Sequence, residues 1–274
     1  VTIAGVAGEF VWFSVASYNV LATAYIQRAQ YPRTPALVLD PTWRIPALVQ
    51  QISRLGADII CLQEVETETL GPLRIRLGAL GYFSEYGRKG GGKPDGCATF
   101  YRRNRFELVD VRVIAYSDAG GEMRDSGHVA LVTLFKEGDF TLGLVNTHLT
   151  WDPPGVPPES RRGLRQMREL LAHYTAIVEM ARGWIIAGDL NVTPDSDLVA
   201  MLQESGFDYA HRALSGVHTC NVNRQAKMID YLFCDSSLQS DPQPAAWIED
   251  RTILPSAEEP SDHVPILSRF LWRD

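Results

Sequence analysis

The sequence predicts an α+β sandwich of two sheets, and three observations carry that expectation. Short apolar runs rich in Val, Ile, Phe and Tyr outnumber amphipathic helical stretches. The helical stretches are few and scattered between them. A long succession of strand-like runs fills residues 82 to 148 without a helix, which a doubly wound parallel sheet does not do.

In chain order, a strand is expected over 10–20 and a helix over 43–55. A strand over 57–62 leads to a helix over 68–80. Strands follow at 82–86, 97–102, 108–115, 128–135 and 140–147, each of strand length and rich in β-branched or aromatic residues. A helix over 159–181 is marked by Met167, Leu170, Leu171, Tyr174 and Val178 on one stripe. A strand over 184–187, a helix over 196–204 and strands over 228–234 and 264–271 complete the order. Long loops are expected at 23–42, 117–127, 152–158, 211–227 and 235–261, where loops of such length are commonly functional. The Pro-rich tract at 152–158 is stiff but too short for a linker, so residues 1–274 are expected to form one domain.

Composition narrows the function. The 274 residues carry 26 Lys+Arg against 33 Asp+Glu, a net charge of −7, with 45% hydrophobic and 22% charged residues. That excludes a disordered, collagen-like or coiled-coil chain. It also argues against broad coating of nucleic acid, which needs a basic footprint, but not against gripping one strand end in a local basic groove. No apolar run reaches membrane-spanning length, so no membrane association is expected. The apolar start, 1–15, lacks a basic lead and is interrupted by Glu9, so it reads as a strand and not as a signal peptide. Cys61, Cys97, Cys220 and Cys234 form no CxxC pair, a pattern suited to a reducing cytoplasm.

Polar residues recur at the ends of the apolar runs: Asn19, Glu64, His148, Asp189 with Asn191, Asp230, and Asp262 with His263. Carboxylates and amides at several strand ends can converge on one rim of a sheet. Oxygen ligands without cysteine suit a hard cation such as Mg²⁺, and two histidines nearby suit phosphate contact and proton transfer. Taken singly, Glu64 also reads as a strand cap, Asp189 as an Asx turn, and His148 and His263 as satisfied core histidines. His211 and His218 read as ordinary loop histidines. The ordered set carries the signal.

That set resembles the endonuclease/exonuclease/phosphatase superfamily, through Ser-Tyr-Asn19-Val-Leu, Ile-Cys-Leu-Gln-Glu64-Val, Val-Asn-Thr-His148-Leu, Ile-Ala-Gly-Asp189-Leu-Asn191, Ile-Asp230-Tyr and Pro-Ser-Asp262-His263-Val-Pro-Ile. The resemblance implies a four-layer α/β/β/α sandwich of two mixed sheets with the site where their strand ends meet. It implies that Glu64 binds Mg²⁺, with Mn²⁺ as a substitute, and that Asn19 and Asp262 complete or support the metal site. Asp189 would orient and deprotonate water, with Asn191 fixing its position. His148 would donate to a phosphoryl oxygen. His263, held by Asp230, would contact the phosphate or move a proton.

A narrower resemblance is to the deadenylase, nocturnin and angel branch. It rests on Lys93-Pro-Asp-Gly-Cys-Ala-Thr-Phe-Tyr, on Trp151-Asp152-Pro153 followed by Leu164 and Gln166, and on Leu39-Asp-Pro-Thr-Trp-Arg44. By that match Pro153 would line a base pocket. The stretch 223–227 lacks the aromatic residues of the deadenylases, Thr219-Cys220 is closer to the angel group, and His128 stands where the branch has Asn. Basic residues cluster at Arg161, Arg162, Arg165 and Arg168, at Arg88, Lys89 and Lys93, and at Arg102, Arg103 and Arg105. The first two clusters flank the branch motifs, which makes Arg161, Arg165 and Lys93 candidates for substrate phosphate, while Trp151 could stack on a base.

The expected protein is therefore a monomeric, cytoplasmic, Mg²⁺-dependent phosphoesterase acting on an RNA end or a small ribonucleotide, with no protein partner. A DNA repair endonuclease of the exonuclease III kind, a lipid or sugar phosphatase and an inactive binding module are the alternatives.

Overall fold

The computed structural model describes residues 12–119, 124–222 and 224–273. Strand β1 (Phe13–Asn19) leads through a short helix α1 (Ala36–Leu39) into α2 (Pro41–Leu55), then β2 (Ile59–Glu66), α3 (Thr67–Ala79), β3 (Tyr82–Arg88) and β4 (Asp95–Arg102). Three strands follow without a helix: β5 (Glu107–Ala115), β6 (Val129–Glu137) and β7 (Phe140–His148). Then come α4 (Arg162–Ile177), β8 (Gly183–Asp189), α5 (Asp197–Glu204), β9 (Asp208–Tyr209), β10 (Cys220–Val222), β11 (Gln225–Lys227), β12 (Asp230–Cys234), β13 (Leu238–Pro242) and β14 (Ile266–Trp272).

Two six-stranded sheets result, ordered β13-β14-β1-β2-β4-β3 and β5-β6-β7-β8-β12-β9. Each has one parallel pair, β1 with β2 and β7 with β8, and is otherwise antiparallel. The parallel pairs require crossovers, and α2 and α4 supply them. Alternate side chains of each strand point to opposite faces, so each sheet has two apolar faces to cover. Phe13, Val15, Ile59 and Cys61 meet Leu142, Leu144, Ile185 and Ala187 between the sheets. Ala16, Tyr18, Ile60 and Leu62 pack outward under Leu48 and Ile52 of α2 and Leu70 and Leu73 of α3. Val145, Trp184 and Ile186 pack outward under Leu164, Met167 and Leu170 of α4 and Leu198 and Leu202 of α5. These are the four layers the resemblance implies.

Helix boundaries follow local chemistry. Asp40 caps α2 by accepting from the Thr42 amide, Pro41 occupies its first turn, and Gly56 closes it in the left-handed region. The expected helix over 159–181 is shorter, because separate 3₁₀ turns occupy 158–160 and 178–180. Three expected loops carry structure. Residues 23–42 hold two 3₁₀ turns and α1, residues 211–227 hold the β10–β11 hairpin, and residues 235–261 contain β13. β13 reads as loop because it is a polar edge strand, with only Leu238 fully buried. Residues 10 and 11 of the first expected strand lie outside the described residues. No helix among the described residues is long and apolar enough to cross a membrane.

Candidate functional site

The carboxyl ends of the two parallel pairs lie on the same rim of the sandwich. His148, Asp189 and Asp230 stand side by side, His148 opposite Asp189 across β7–β8 and Asp230 opposite Asp189 across β12–β8. From the other sheet Asn19 ends β1, and Glu64 follows Gln63, its neighbour in register. A bulge between Leu62 and Val65 breaks the β2–β4 ladder, and Glu64 takes φ +58 within it. Bulges beside active sites re-aim side chains in this way, and strained backbone concentrates at such sites. Asn191 is likewise left-handed, at φ +56.

Gly188 is what allows His148 and Asp189 to sit together. Its φ is +145, and a Cβ there would lie 1.8 Å from the Thr147 carbonyl oxygen. Replacing Gly188 by Ala is expected to cost about 3 kcal/mol or more. Thermal unfolding checks this, with a Tm lower by roughly 10 °C; an unchanged Tm would show that the strand pair tolerates a side chain.

Asn19 ties the two sheets together at the centre. Its Nδ2 donates to Glu64 Oε1 at 3.1 Å and to Asp189 Oδ2 at 2.9 Å, while its Oδ1 accepts from the Leu21 amide at 3.0 Å. Its bond to Glu64 holds the carboxylate expected to bind the metal. Between the buried Asp189 carboxylate and the part-buried Glu64 carboxylate an amide N–H relieves their repulsion, so the side chain faces them with nitrogen. Glu64 Oε2 accepts from the Ala22 amide at 2.8 Å. Burial raises the Glu64 pKa, Lys89 works against that and Asp262 adds to it. Asp262 Oδ2 accepts from Tyr31 Oη at 2.8 Å.

Asp189 accepts from the Asn191 amide at 2.9 Å, and burial followed by repulsion from Asp230 lifts its pKa above the ordinary carboxylate range. Asp230 holds His263, Nδ1 to Oδ2 at 2.8 Å, and His263 Nε2 lies 3.7 Å from Asp189 Oδ2. Burial opposes the charged imidazole, but Asp230 and, after it, Cys220 together outweigh it and the His263 pKa is raised. Asp230 is itself placed by Thr219, whose Oγ1 accepts from the Asp230 amide at 3.1 Å.

His148 has different surroundings. Its Nδ1 lies 3.2 Å from Lys89 Nζ and its Nε2 lies 3.0 Å from Asn191 Nδ2. Burial first, and then the Lys89 charge, push its pKa well below the usual value. The ring is neutral and keeps one N–H, so it accepts at one ring nitrogen and donates from the other. Lys89 was legible only as one of a basic cluster. It is buried between His148 and Asp95, 2.7 Å from Asp95 Oδ2, and it brings a positive charge to the carboxylate centre.

These groups form one wall of a cleft of about 860 Å³. Trp151, Pro153, Arg161 and Lys93 line it, and Trp151 is 58% exposed at the rim. Arg165 does not line it, because its guanidinium turns to the Asp118 carbonyl at 3.0 Å. Asp152 explains how the Trp-Asp-Pro segment is held. Its two carboxylate oxygens accept from the Arg162 and Gly163 amides, both at 2.9 Å, which caps α4 from the loop. Gln166 accepts from the Thr150 amide at 2.8 Å beside it.

Three further residues of the motifs, Gln63, Asn146 and Arg44, carry no role in the sequence reading. Gln63 Nε2 donates to Asn146 Oδ1 at 2.9 Å, and Asn146 Nδ2 donates to the Ala98 carbonyl at 2.9 Å, so a polar bridge joins the sheets beneath the site. Arg44 is fully buried and donates to the Val20 carbonyl at 2.9 Å and to Thr23 Oγ1 at 2.7 Å, fixing the turn after Asn19. Their signal was a polar residue in an otherwise apolar or helical motif.

The donors suit a hard divalent cation. Asp189, Asp230 and His263 bring ligand atoms within 4.8 Å of one another, and Asp230 Oδ1 is buried without a hydrogen-bond partner. Glu64 and Asp262 add carboxylates on the same cleft. Cys220 also lines it, but burial pushes its thiol up to about 11, so it stays protonated.

Comparison with known proteins agrees with this fold. "Protein angel homolog 2" of Mus musculus is 31% identical over 220 residues, covering 75% of this chain and 39% of that protein. The Candida albicans "CCR4-Not complex 3'-5'-exoribonuclease subunit Ccr4" is 26% identical over 328 residues, covering 94% of this chain and 41% of that protein. The chain thus spans about two fifths of the length of these curated relatives. The crystal structure of ANGEL2, a 2',3'-cyclic phosphatase, in complex with adenosine-2',3'-vanadate has the same fold, with a TM-score of 0.83 at 23% identity and 96% coverage of both chains. The profile of the Endonuclease/Exonuclease/phosphatase family matches residues 16–263. That span takes in every site residue from Asn19 to His263, and the chain belongs to the endonuclease/exonuclease/phosphatase family.

Proposed function

We propose that this protein is a divalent-metal-dependent phosphoesterase acting on an RNA 3' end or a small ribonucleotide, with a 2',3'-cyclic phosphate as the first substrate to test. The observation that carries this reading is the in-register row His148–Asp189–Asp230, closed by Glu64 and His263 at the foot of an open cleft. Glu64 and Asp262 would hold a Mg²⁺ or Mn²⁺ ion, which would polarise a phosphoryl oxygen and offset the charge that develops there.

The chain's own residues supply the rest. Asp189, fixed by Asn191 and Asn19, takes the proton of the attacking water as its oxygen bonds to phosphorus. Its raised pKa makes it a better base than an exposed carboxylate. A ribose oxygen leaves and takes a proton, which His263, kept protonated by Asp230, is placed to give. His148 donates to a phosphoryl oxygen, and Lys89 beside it brings positive charge to the same wall. Trp151 and Pro153 offer a surface for the base, and Lys93 and Arg161 offer charge for further phosphate.

The ANGEL2 description as a 2',3'-cyclic phosphatase and the Thr219-Cys220 pair support the cyclic ester over processive shortening. The Ccr4 description as a 3'-5'-exoribonuclease makes shortening the second reading. Four unpaired, buried cysteines support a reducing compartment. The test incubates purified protein and Mg²⁺ with 2',3'-cyclic-phosphate RNA, oligo(A), mixed RNA, NADP and abasic DNA. The expected result is loss of the cyclic terminus alone. Shortening favours the exoribonuclease, and nicking of abasic DNA overturns the RNA reading. EDTA is expected to abolish turnover and Mg²⁺ or Mn²⁺ to restore it; hydrolysis that persists in EDTA overturns the metal assignment.

A further inference from the structure

A second cavity, of about 210 Å³, lies beside the cleft and shares the residues Gln30 and Tyr31 with it. Tyr31 forms part of the partition, with its Oη bonded to Asp262 at 2.8 Å. The β10–β11 hairpin forms the rest. Cys220 and Val222 line the cleft while Asn221, between them, lines the side cavity, as strand alternation requires. Asp262, on which Tyr31 bears, is also bonded to the hairpin, its carbonyl accepting from the Asn221 amide at 3.0 Å.

The cavity is pre-formed and its mouth is cationic. Asn221 Nδ2 donates to the Glu249 carbonyl at 2.9 Å and to the Thr252 carbonyl at 2.7 Å, and Thr34 Oγ1 donates to the Pro255 carbonyl at 3.0 Å. Those bonds tie together the three segments that line it. Asn221 Oδ1 remains buried with no partner in the wall. Arg33 and Arg224 also line it, both exposed, Arg33 donating to the Arg251 carbonyl at 3.3 Å, and no acidic residue among the described residues does. In a chain of net charge −7, an acid-free pocket with two arginines one side chain away from the carboxylate centre is a local anion site.

We propose that this side cavity is a subsite for the nucleotide next to the terminal one on a single RNA strand, with Arg33 and Arg224 taking its phosphate. This rests on the reading of the cleft as a site for RNA ends. It goes further, because it makes the preferred substrate an oligonucleotide and not a free mononucleotide. Guanidinium suits phosphate through paired N–H donors, and Arg224, at φ +62 in the hairpin turn, is carried on the wall between the two cavities.

The test compares two substrates with the same cyclic end, a mononucleoside 2',3'-cyclic phosphate and a short RNA ending in one. Kinetics are measured for the unaltered protein and for Arg33→Ala/Arg224→Ala at two salt concentrations. The expected result is a rise of about tenfold in KM for the RNA, with a shallower salt dependence, and unchanged constants for the mononucleotide. Arg33→Lys/Arg224→Lys is expected to recover part of the loss. Equal effects on both substrates, or none on either, overturn the subsite and leave the reading of the cleft intact. Failure of the unaltered protein to hydrolyse either substrate overturns both.

Discussion

Glu64→Gln is expected to lower turnover on the order of 10³-fold, about 4 kcal/mol of transition-state stabilisation, while leaving the Tm unchanged or higher. The two halves of this expectation have one cause. The Glu64 carboxylate is partly buried, lies within reach of the Asp262 charge and has a raised pKa, so its charge is a burden on the folded chain without a cation. Glutamine keeps its shape and can still accept from the Ala22 amide, so the fold loses little. What disappears is the negative charge that a divalent ion needs. Steady-state kinetics at saturating Mg²⁺ and thermal unfolding of the same sample check both halves. Full turnover by Glu64→Gln would move the metal to Asp189, Asp230 and His263, the trio whose ligand atoms lie within 4.8 Å of one another.

Asp189→Asn is expected to lower kcat by roughly 10³- to 10⁴-fold with KM little changed. Asp189 is the most constrained group of the rim. It stands in register between His148 and Asp230 and accepts from the Asn191 amide and from Asn19 Nδ2. An asparagine keeps the size and the bond from Asn191. It cannot take a proton from water, and one end presents an N–H where Asn19 already offers one. Removing one of two adjacent buried carboxylates also relieves repulsion, so a Tm at or above that of the unaltered protein is expected. Loss of KM with kcat intact would make Asp189 a substrate-binding group and overturn its place as the base. The double variant Glu64→Gln/Asp189→Asn is expected to lose little more than either single change, because groups that act on one transition state are not additive.

The core elements were legible because their periodicity is physical. A strand stretch buried on both faces, such as 59–62, has to be apolar, and a helix over a sheet, such as Arg162–Ile177, has to carry a stripe. The elements that went unread are short or polar. β9, β10 and β11 have two or three residues each, and β13 buries one side chain fully. Their pairing is decided by what lies next to them and leaves little pattern in sequence.

The site divides along the same line. Asn19, Glu64, His148, Asp189, Asp230 and His263 announced themselves as polar residues closing apolar runs, in an order that carried the family. Lys89 did not, because a lysine beside glycines in a loop looks like solvated surface, and only the fold buries it against His148 and Asp95. Arg165 stood in a promising cluster, yet its place on α4 turns it to Asp118. By itself the sequence determined the layers, the strand ends and the chemical types gathered there, since burial and hydrogen-bonding demands act residue by residue. Only the tertiary structure decided which nitrogen faces which carboxylate, which cations reach the cleft, and that a second cavity adjoins it. Those depend on register and on distances between segments far apart in the chain, as when Asn19 and Asp189 come to 2.9 Å across the two sheets.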